Sequence, residues 1–261
     1  MSRTAALAVF FMISLVLFSM PARTAEIDIS DVKDAPAIIE LLKDQLENLK
    51  NIKSYTYVLI KQERFRDGLH PEEIIKYEFK NPCRIYMKWI GNVDKGLTII
   101  YNCEKSRKKF WAKEAGYLRS WGFIRLNLNS KFAKMYHPNH WLVNQSDIAF
   151  RSRMMLEQME KAYKIGKLKI IPYGKVHDDE TDTDTFRFDS IMPAGPGYGL
   201  KYYRTSIWID ARTLIPTKFY LYNFKNKLYE RYVIKDLKLN ADVPDKLFIV
   251  HHYRDIGDID Q

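Results

Sequence analysis

The stretch NPCRIYMKWIGNVDKGLTIIYNC, residues 81–103, decides how the chain folds. Arg84 to Ile90 alternates, with Ile85, Met87 and Trp89 on one side and Arg84 and Lys88 on the other. Leu97 to Asn102 alternates again through Leu97, Ile99 and Tyr101, and Gly91 to Gly96 lies between as a turn. That is the pattern of two half-buried strands joined as a hairpin. If Ile90 faces Gly96, paired residue numbers sum to 186, so Trp89 meets Leu97, Met87 meets Ile99 and Ile85 meets Tyr101. All three pairs are apolar and share a face, as cross-strand stabilisation requires. A slip of one residue would turn one apolar set to the wrong side. The same register sets Cys83 opposite Cys103, the two cysteines of the chain. In an oxidising compartment the pair forms a disulfide, worth about 3 kcal/mol through loop closure. The alternative is two buried free thiols.

The alternation extends outward on both sides. Tyr55 to Arg66 is rich in aromatic and branched residues and ends at Asp67-Gly68, a turn signal. Ile74 to Lys80 places Ile75, Tyr77 and Phe79 on one face. Further strands are expected at Phe110 to Lys113, Lys167 to Val176, Thr185 to Ile191, Lys201 to Asp210, Thr217 to Tyr222 and Leu228 to Leu239. Leu118 to Leu128 is apolar but irregular, and residues 129–147 read as a long loop or short helical pieces. Two segments break the β texture. Ala35 to Leu49 has Ile38, Ile39, Leu42, Leu46 and Leu49 at helical spacing, with Asp34 as cap and Pro36 in the first turn. Ile148 to Tyr163 reads as a second helix with a stripe of Met154, Met155 and Met159.

At the N-terminus Arg3 precedes Ala5 to Met20, a 16-residue apolar run without a charge, followed by small residues up to Ala25. The order is that of a secretory signal peptide, residues 1–25, and the run is shorter than the roughly 20 residues of a bilayer span. Cleavage after Ala25 sets Arg23 at a position that prefers a small residue, so Ala22 and Thr24 are alternatives; an uncleaved anchor is the other reading. The remainder, residues 26–261, is long enough for a single β-rich domain. The net charge of +10 includes Arg3 and Arg23, leaving about +8 for that domain. The excess is diffuse. It suits a solvated basic surface or contact with anionic lipid, and no nucleic-acid recognition motif accompanies it.

No catalytic motif is visible. His137-Pro-Asn-His140 offers two imidazoles, but Pro138 argues against a helix and no third ligand is placed, so no metal centre is expected. His251 and His252 would point to opposite faces of a strand. The run Asp178 to Asp184 lacks the glycine and the terminal glutamate of an EF-hand and reads as a solvated hairpin tip. Pro193 to Gly199 is a hairpin loop without the following helix of a phosphate cradle. Ser130, Ser146, Ser152 and Ser190 lack a nucleophile-elbow context.

The order of these features resembles the LolA-like superfamily of periplasmic lipoprotein carriers, in a branch without assigned function. The resemblance rests on SYTYVLIKQER (54–64), the hairpin at 81–102, SIWIDARTLIPTKFYLYN (206–223) and YVIKDLKLNADVPDKLF (232–248), and it spans most of residues 35–250. It implies an α+β protein, mainly β: a curved antiparallel sheet, or incomplete barrel, closed by two or more helices. It further implies an apolar cavity for acyl chains, with Tyr77, Phe79, Ile85, Met87, Trp89, Leu97, Ile99 and Tyr101 as concave-face residues. The carriers' membrane-partner arginine has only Arg64 and Arg84 as candidates, and the cysteine pair and the loop 129–147 depart from the simplest carrier pattern. The function expected is an exported, monomeric, non-enzymatic protein without a cofactor that holds a lipid or the acyl chain of a lipoprotein. A membrane surface or envelope protein would be its partner, and nucleic acid would not. The alternative is a sensor or interaction protein on the same scaffold with no transported ligand.

Overall fold

The computed structural model describes residues 34–116 and 120–256. The expected signal peptide lies outside them. Two long helices lie against one large sheet. Helix α1 (Ala35–Lys50) starts where Asp34 accepts the Ala37 N–H at 2.9 Å, with Pro36 in its first turn. It buries Ile38, Ile39, Leu41, Leu42 and Leu49. Helix α3 (Ile148–Lys164) is capped by Asp147 and buries Met154, Met155, Leu156 and Met159. The two helices meet through a buried bond from Gln45 Nε2 to Ser152 Oγ at 2.9 Å. No described helix is long and apolar enough to cross a membrane.

The sheet holds thirteen described strands. In chain order they are β1 (Ser54–Phe65), β2 (Gly68–Leu69), β3 (Glu73–Lys80), β4 (Arg84–Trp89), β5 (Thr98–Asn102), β6 (Lys109–Lys113) and β7 (Phe123–Asn127). Then follow β8 (Lys169–Asp178), β9 (Thr183–Ile191), β10 (Arg204–Asp210), β11 (Pro216–Tyr222), β12 (Leu228–Leu239) and β13 (Tyr253–Asp255). Across the sheet the order is β13-β7-β6-β5-β4-β3-β1-β12-β11-β10-β9-β8, with β2 folded back on β1. Every pairing is antiparallel except β13 with β7. The two ends, β13 and β8, do not meet, so the sheet is curved and open, the α+β half-barrel expected.

The decisive hairpin has the register read from its apolar pattern. Ile85 pairs with Tyr101 and Met87 with Ile99. The Trp89 N–H donates to Leu97 O at 2.9 Å. Gly96, at φ 98°, and Asp94, at φ 49°, turn the chain between them, and the left-handed region is where glycine fits without strain. Cys83 and Cys103 form a disulfide with a Cα–Cα distance of 5.9 Å.

Some local readings are refined. The acidic run is the tip of the β8–β9 hairpin, with Asp179 and Asp182 in solvent, but not all of it is solvated. Asp178 and Glu180 fold back onto Lys218 of β11, at 2.5 and 2.8 Å, and Glu180 also binds Arg231 of β12. The buried Lys218 ammonium and the half-buried Arg231 guanidinium need such counter-charges. The apolar segment before Leu128, read as irregular, contains the strand β7, whereas residues 129–147 hold the short helical pieces expected, among them α2 (Lys131–Tyr136). His251 and His252 lie on a bend before β13, not on a strand.

Candidate functional site

The concave face of the sheet is roofed in two parts. Under α1 and α3 it is filled. Tyr55, Tyr57, Tyr77 and Phe79 stack on one another, with Tyr57 and Tyr77 ring centroids 4.5 Å apart. Tyr77 Oη lies 3.0 Å from Ser146 Oγ, and Tyr55 Oη accepts the Ile148 N–H at 3.3 Å. The start of α3 is therefore seated on the stack.

Toward β7 the roof is a strap, residues 128–146, that carries α2. Beneath it a cavity of about 130 Å³ remains. Its floor is Met87, Trp89, Leu97, Ile99, Phe110 and Ile124, and its roof is Leu128, Phe132, Ala133 and Leu142. That volume is of the order that admits one benzene-sized apolar guest. Of the eight concave-face residues singled out from the sequence, Met87, Trp89, Leu97 and Ile99 line this cavity. Tyr77, Phe79, Ile85 and Tyr101 do not; they are buried in the contiguous core.

One wall of the cavity is polar: besides His137 it carries Lys61 and Glu63, which the sequence reading does not single out, and Glu73 stands beside Lys61. Lys61, Glu63 and Glu73 are 3, 3 and 8 % exposed. They follow directly from strand alternation: Tyr55, Tyr57 and Leu59 set the inward face of β1, and Lys61 and Glu63 share their parity. Buried charges require partners. Lys61 Nζ lies 3.0 Å from Glu73 Oε1 and also binds Asn139 of the strap. Trp89 Nε1 donates to Glu73 Oε2 at 2.6 Å. Burial alone would raise the Glu73 pKa, but the His137 imidazole, the Lys61 charge and the Trp89 indole hold it down at about 2. His137 reaches Asp94 Oδ2 at 2.8 Å and Glu73 Oε2 at 3.3 Å. Burial would lower its pKa, yet these two carboxylates raise it.

His140 points elsewhere. Its Nδ1 lies 2.9 Å from Glu230 Oε1 and its Nε2 3.1 Å from Arg64 O, so the two histidines do not converge on one point. Glu230, 1 % exposed, accepts from Trp141 Nε1 at 2.8 Å and Tyr202 Oη at 3.3 Å, and its Oε2 lies 3.0 Å from Tyr232 Oη. Tyr232 Oη is 2.5 Å from Glu63 Oε1, and the Arg151 guanidinium stacks 3.6 Å above the Tyr232 ring. Glu63, His140 and Glu230 each offer one ligand atom, all within 4.8 Å of one another. The arrangement pins the strap to β1, β3 and β12 through side chains while leaving the apolar space beneath it unfilled.

The family model described as "Protein of unknown function (DUF1571)" matches residues 52–253. A search of curated proteins returns no match. Among solved structures the chain is similar to an uncharacterised conserved protein from Thermus thermophilus, at 8 % identity and a TM-score of 0.47, covering 84 % of this chain and 98 % of that one. It is similar to the lipoprotein LppX of Mycobacterium tuberculosis at 11 % identity and a TM-score of 0.46, covering 81 and 99 %. It is similar to a LolA superfamily protein from Nitrosomonas europaea at 14 % identity and a TM-score of 0.34, covering 80 and 97 %. At these scores none of the three bears on ligand or partner.

Proposed function

Since the chain belongs to the DUF1571 family and its open antiparallel sheet roofed by helices is LolA-like, we propose that it is a binding protein for an apolar ligand, such as a lipid or the acyl chain of a lipoprotein. The observation that carries this reading is the cavity of about 130 Å³ between the strap and the Met87, Trp89, Leu97 and Ile99 face. The floor and roof of this space are apolar and its polar wall is engaged in ion pairs and hydrogen bonds, so an apolar guest there regains contacts that the lining side chains lack. The present volume suits one chain end; a longer guest needs the strap to lift. The disulfide supports a site of action outside the cytoplasm, after removal of residues 1–25 as signal peptide. Residues 26–261 act as one carrier domain.

The test is mass spectrometry of protein purified without detergent, followed by displacement of a fluorescent fatty acid. Bound lipid and saturable displacement are expected. Ala133→Trp, which fills the cavity from its roof, should abolish displacement while leaving the circular dichroism spectrum unchanged. Wild-type protein that carries no lipid and shows no displacement defeats the reading, and a stable protein partner co-purifying in its place would favour an interaction role for the same scaffold.

A further inference from the structure

Glu63 and Glu230 sit directly opposite each other in the register of β1 and β12. Both are buried, at 3 and 1 % exposure. Like charges opposed across an antiparallel pair repel, and burial strengthens the repulsion. The donors between them do not resolve it. Tyr232 Oη lies 2.5 Å from Glu63 Oε1 and 3.0 Å from Glu230 Oε2, but a phenol has one hydrogen and serves one of them. His140 repeats the shortage. Arg64 O can only accept, so the Nε2 beside it at 3.1 Å carries the hydrogen. Nδ1 then turns a lone pair toward Glu230 Oε1 at 2.9 Å, unless the ring takes a second proton. The nearest ammonium, Lys61, is 3.8 Å from Glu63 and is already held by Glu73 at 3.0 Å.

The Arg151 guanidinium lies over the Tyr232 ring at 3.6 Å, and no ion pair joins it to Glu63 or Glu230 among the described residues. Positive charge is thus short between the two carboxylates, where three ligand atoms lie within 4.8 Å of one another. We propose that Glu63, His140 and Glu230 form a binding site for a divalent first-row transition ion. One imidazole nitrogen and two carboxylates are a ligand set for zinc and its neighbours, and the imidazole disfavours magnesium and calcium. The surroundings have the character of an outer shell. Arg64 O fixes the His140 tautomer that leaves Nδ1 free, and Trp141, Tyr202 and Tyr232 orient the carboxylate oxygens. Bound there, the ion ties His140 of the strap to two neighbouring strands, beside the cavity that Glu63 lines. The inference goes beyond ligand binding and does not depend on it.

The test is titration of untagged, chelator-treated full-length protein with zinc sulfate, read by calorimetry and by melting temperature. One ion per chain and a raised melting temperature are expected, with protons released on binding if His140 starts as imidazolium. His140→Gln should abolish binding, and Tyr232→Phe should weaken it by about 10–100-fold. His177→Ala is the control. It removes the exposed imidazole that lies 3.2–3.8 Å from Asp179, Asp182 and Asp184, and it should leave the binding intact. The wild-type titration decides even if a variant fails to fold. No saturable binding below about 1 mM, or binding lost in His177→Ala but kept in His140→Gln, overturns the proposal and leaves a protonated His140 as the neutralising charge.

Discussion

Beneath α1 and α3 the sheet presents Tyr55, Tyr57, Tyr77 and Phe79, and the helices answer with Ile38, Leu42, Met155 and Met159, all buried. Beneath the strap it presents Met87, Leu97, Ile99 and Phe110, and the strap answers with Phe132, Ala133 and Leu142 and leaves a cavity. The strands are continuous and comparably apolar in both places, so the roof makes the difference. A long amphipathic helix delivers a side chain inward every third or fourth residue and can fill a groove. The strap has one six-residue helix and Pro138, and it is fastened by Lys61–Asn139, His137–Glu73 and Trp141–Glu230. Polar anchors fix position without occupying apolar volume. One half of the concave face is therefore built for stability, and the other keeps room.

The sharpest way to break this comparison is to truncate one floor residue in each half. Tyr77→Ala removes a fully buried ring from the packed stack and is expected to cost about 3–5 kcal/mol in urea denaturation. Met87→Ala borders existing empty space and loses fewer contacts, so about 2 kcal/mol is expected. Equal costs would mean that both halves are equally packed.

The disulfide ties the hairpin that supports both halves. Replacing Cys83 and Cys103 together by Ser is expected to cost about 3 kcal/mol, from the loop released by their separation of 20 residues. Apolar-ligand retention should survive at temperatures where the protein stays folded. If it does not, the cavity depends on the hairpin's exact curvature and not on the roof.

Acid and base should loosen the strap through opposite members of the His137–Glu73 anchor. Glu73 falls from an ordinary 4.5 to about 2 on folding. Its contribution, on the order of 3 kcal/mol, is present above pH 4.5 and disappears as pH falls toward 2. His137 is raised above 6.5, so its contribution is complete below that pH and disappears as pH rises through its folded value. Asp94, Glu73 and Lys61 are the charged groups that set it. Stability measured against pH should thus fall on both sides, and His137→Gln should flatten the alkaline side and, because the imidazole also holds Glu73 down, part of the acid side. An unchanged acid side would mean that Lys61 and Trp89 hold Glu73 down without His137.

The packed half was largely legible before folding. Helical spacing gave α1 and α3 within a residue or two, and period-two alternation gave the β4–β5 register and with it the cysteine pairing. Alternation assigns a side chain to a face, however, and says nothing of what covers that face. Tyr77, Ile85 and Tyr101 share the face of Met87 and Leu97, and only the placement of α3 and the strap separates them. The polar wall is a different failure. Lys61 and Glu63 carry the inward parity of β1, but charged residues at a strand's end read as solvent-facing until Glu73, Glu230 and the two histidines arrive from elsewhere in the chain. The parallel pairing of β13 with β7 joins segments 130 residues apart and leaves no local trace.

The smallest effect tests whether the two roofs open independently. Asp34 caps α1 through the Ala37 N–H at 2.9 Å, and Ser130 caps α2 through the Ala133 N–H at 3.1 Å. Alanine at either cap costs about 1 kcal/mol. For Asp34→Ala the loss should appear in global unfolding, because α1 is packed on the core and opens only with it. For Ser130→Ala it should appear as faster hydrogen exchange across residues 131–142 with little change in the denaturation midpoint, because segments with few apolar contacts open below the global free energy. A midpoint shifted equally by both substitutions, with no local exchange in the second, would mean that strap and helices unfold as one unit. The roof over the cavity would then be no more movable than the roof over the aromatic stack, and access for a long guest would need a route other than the strap.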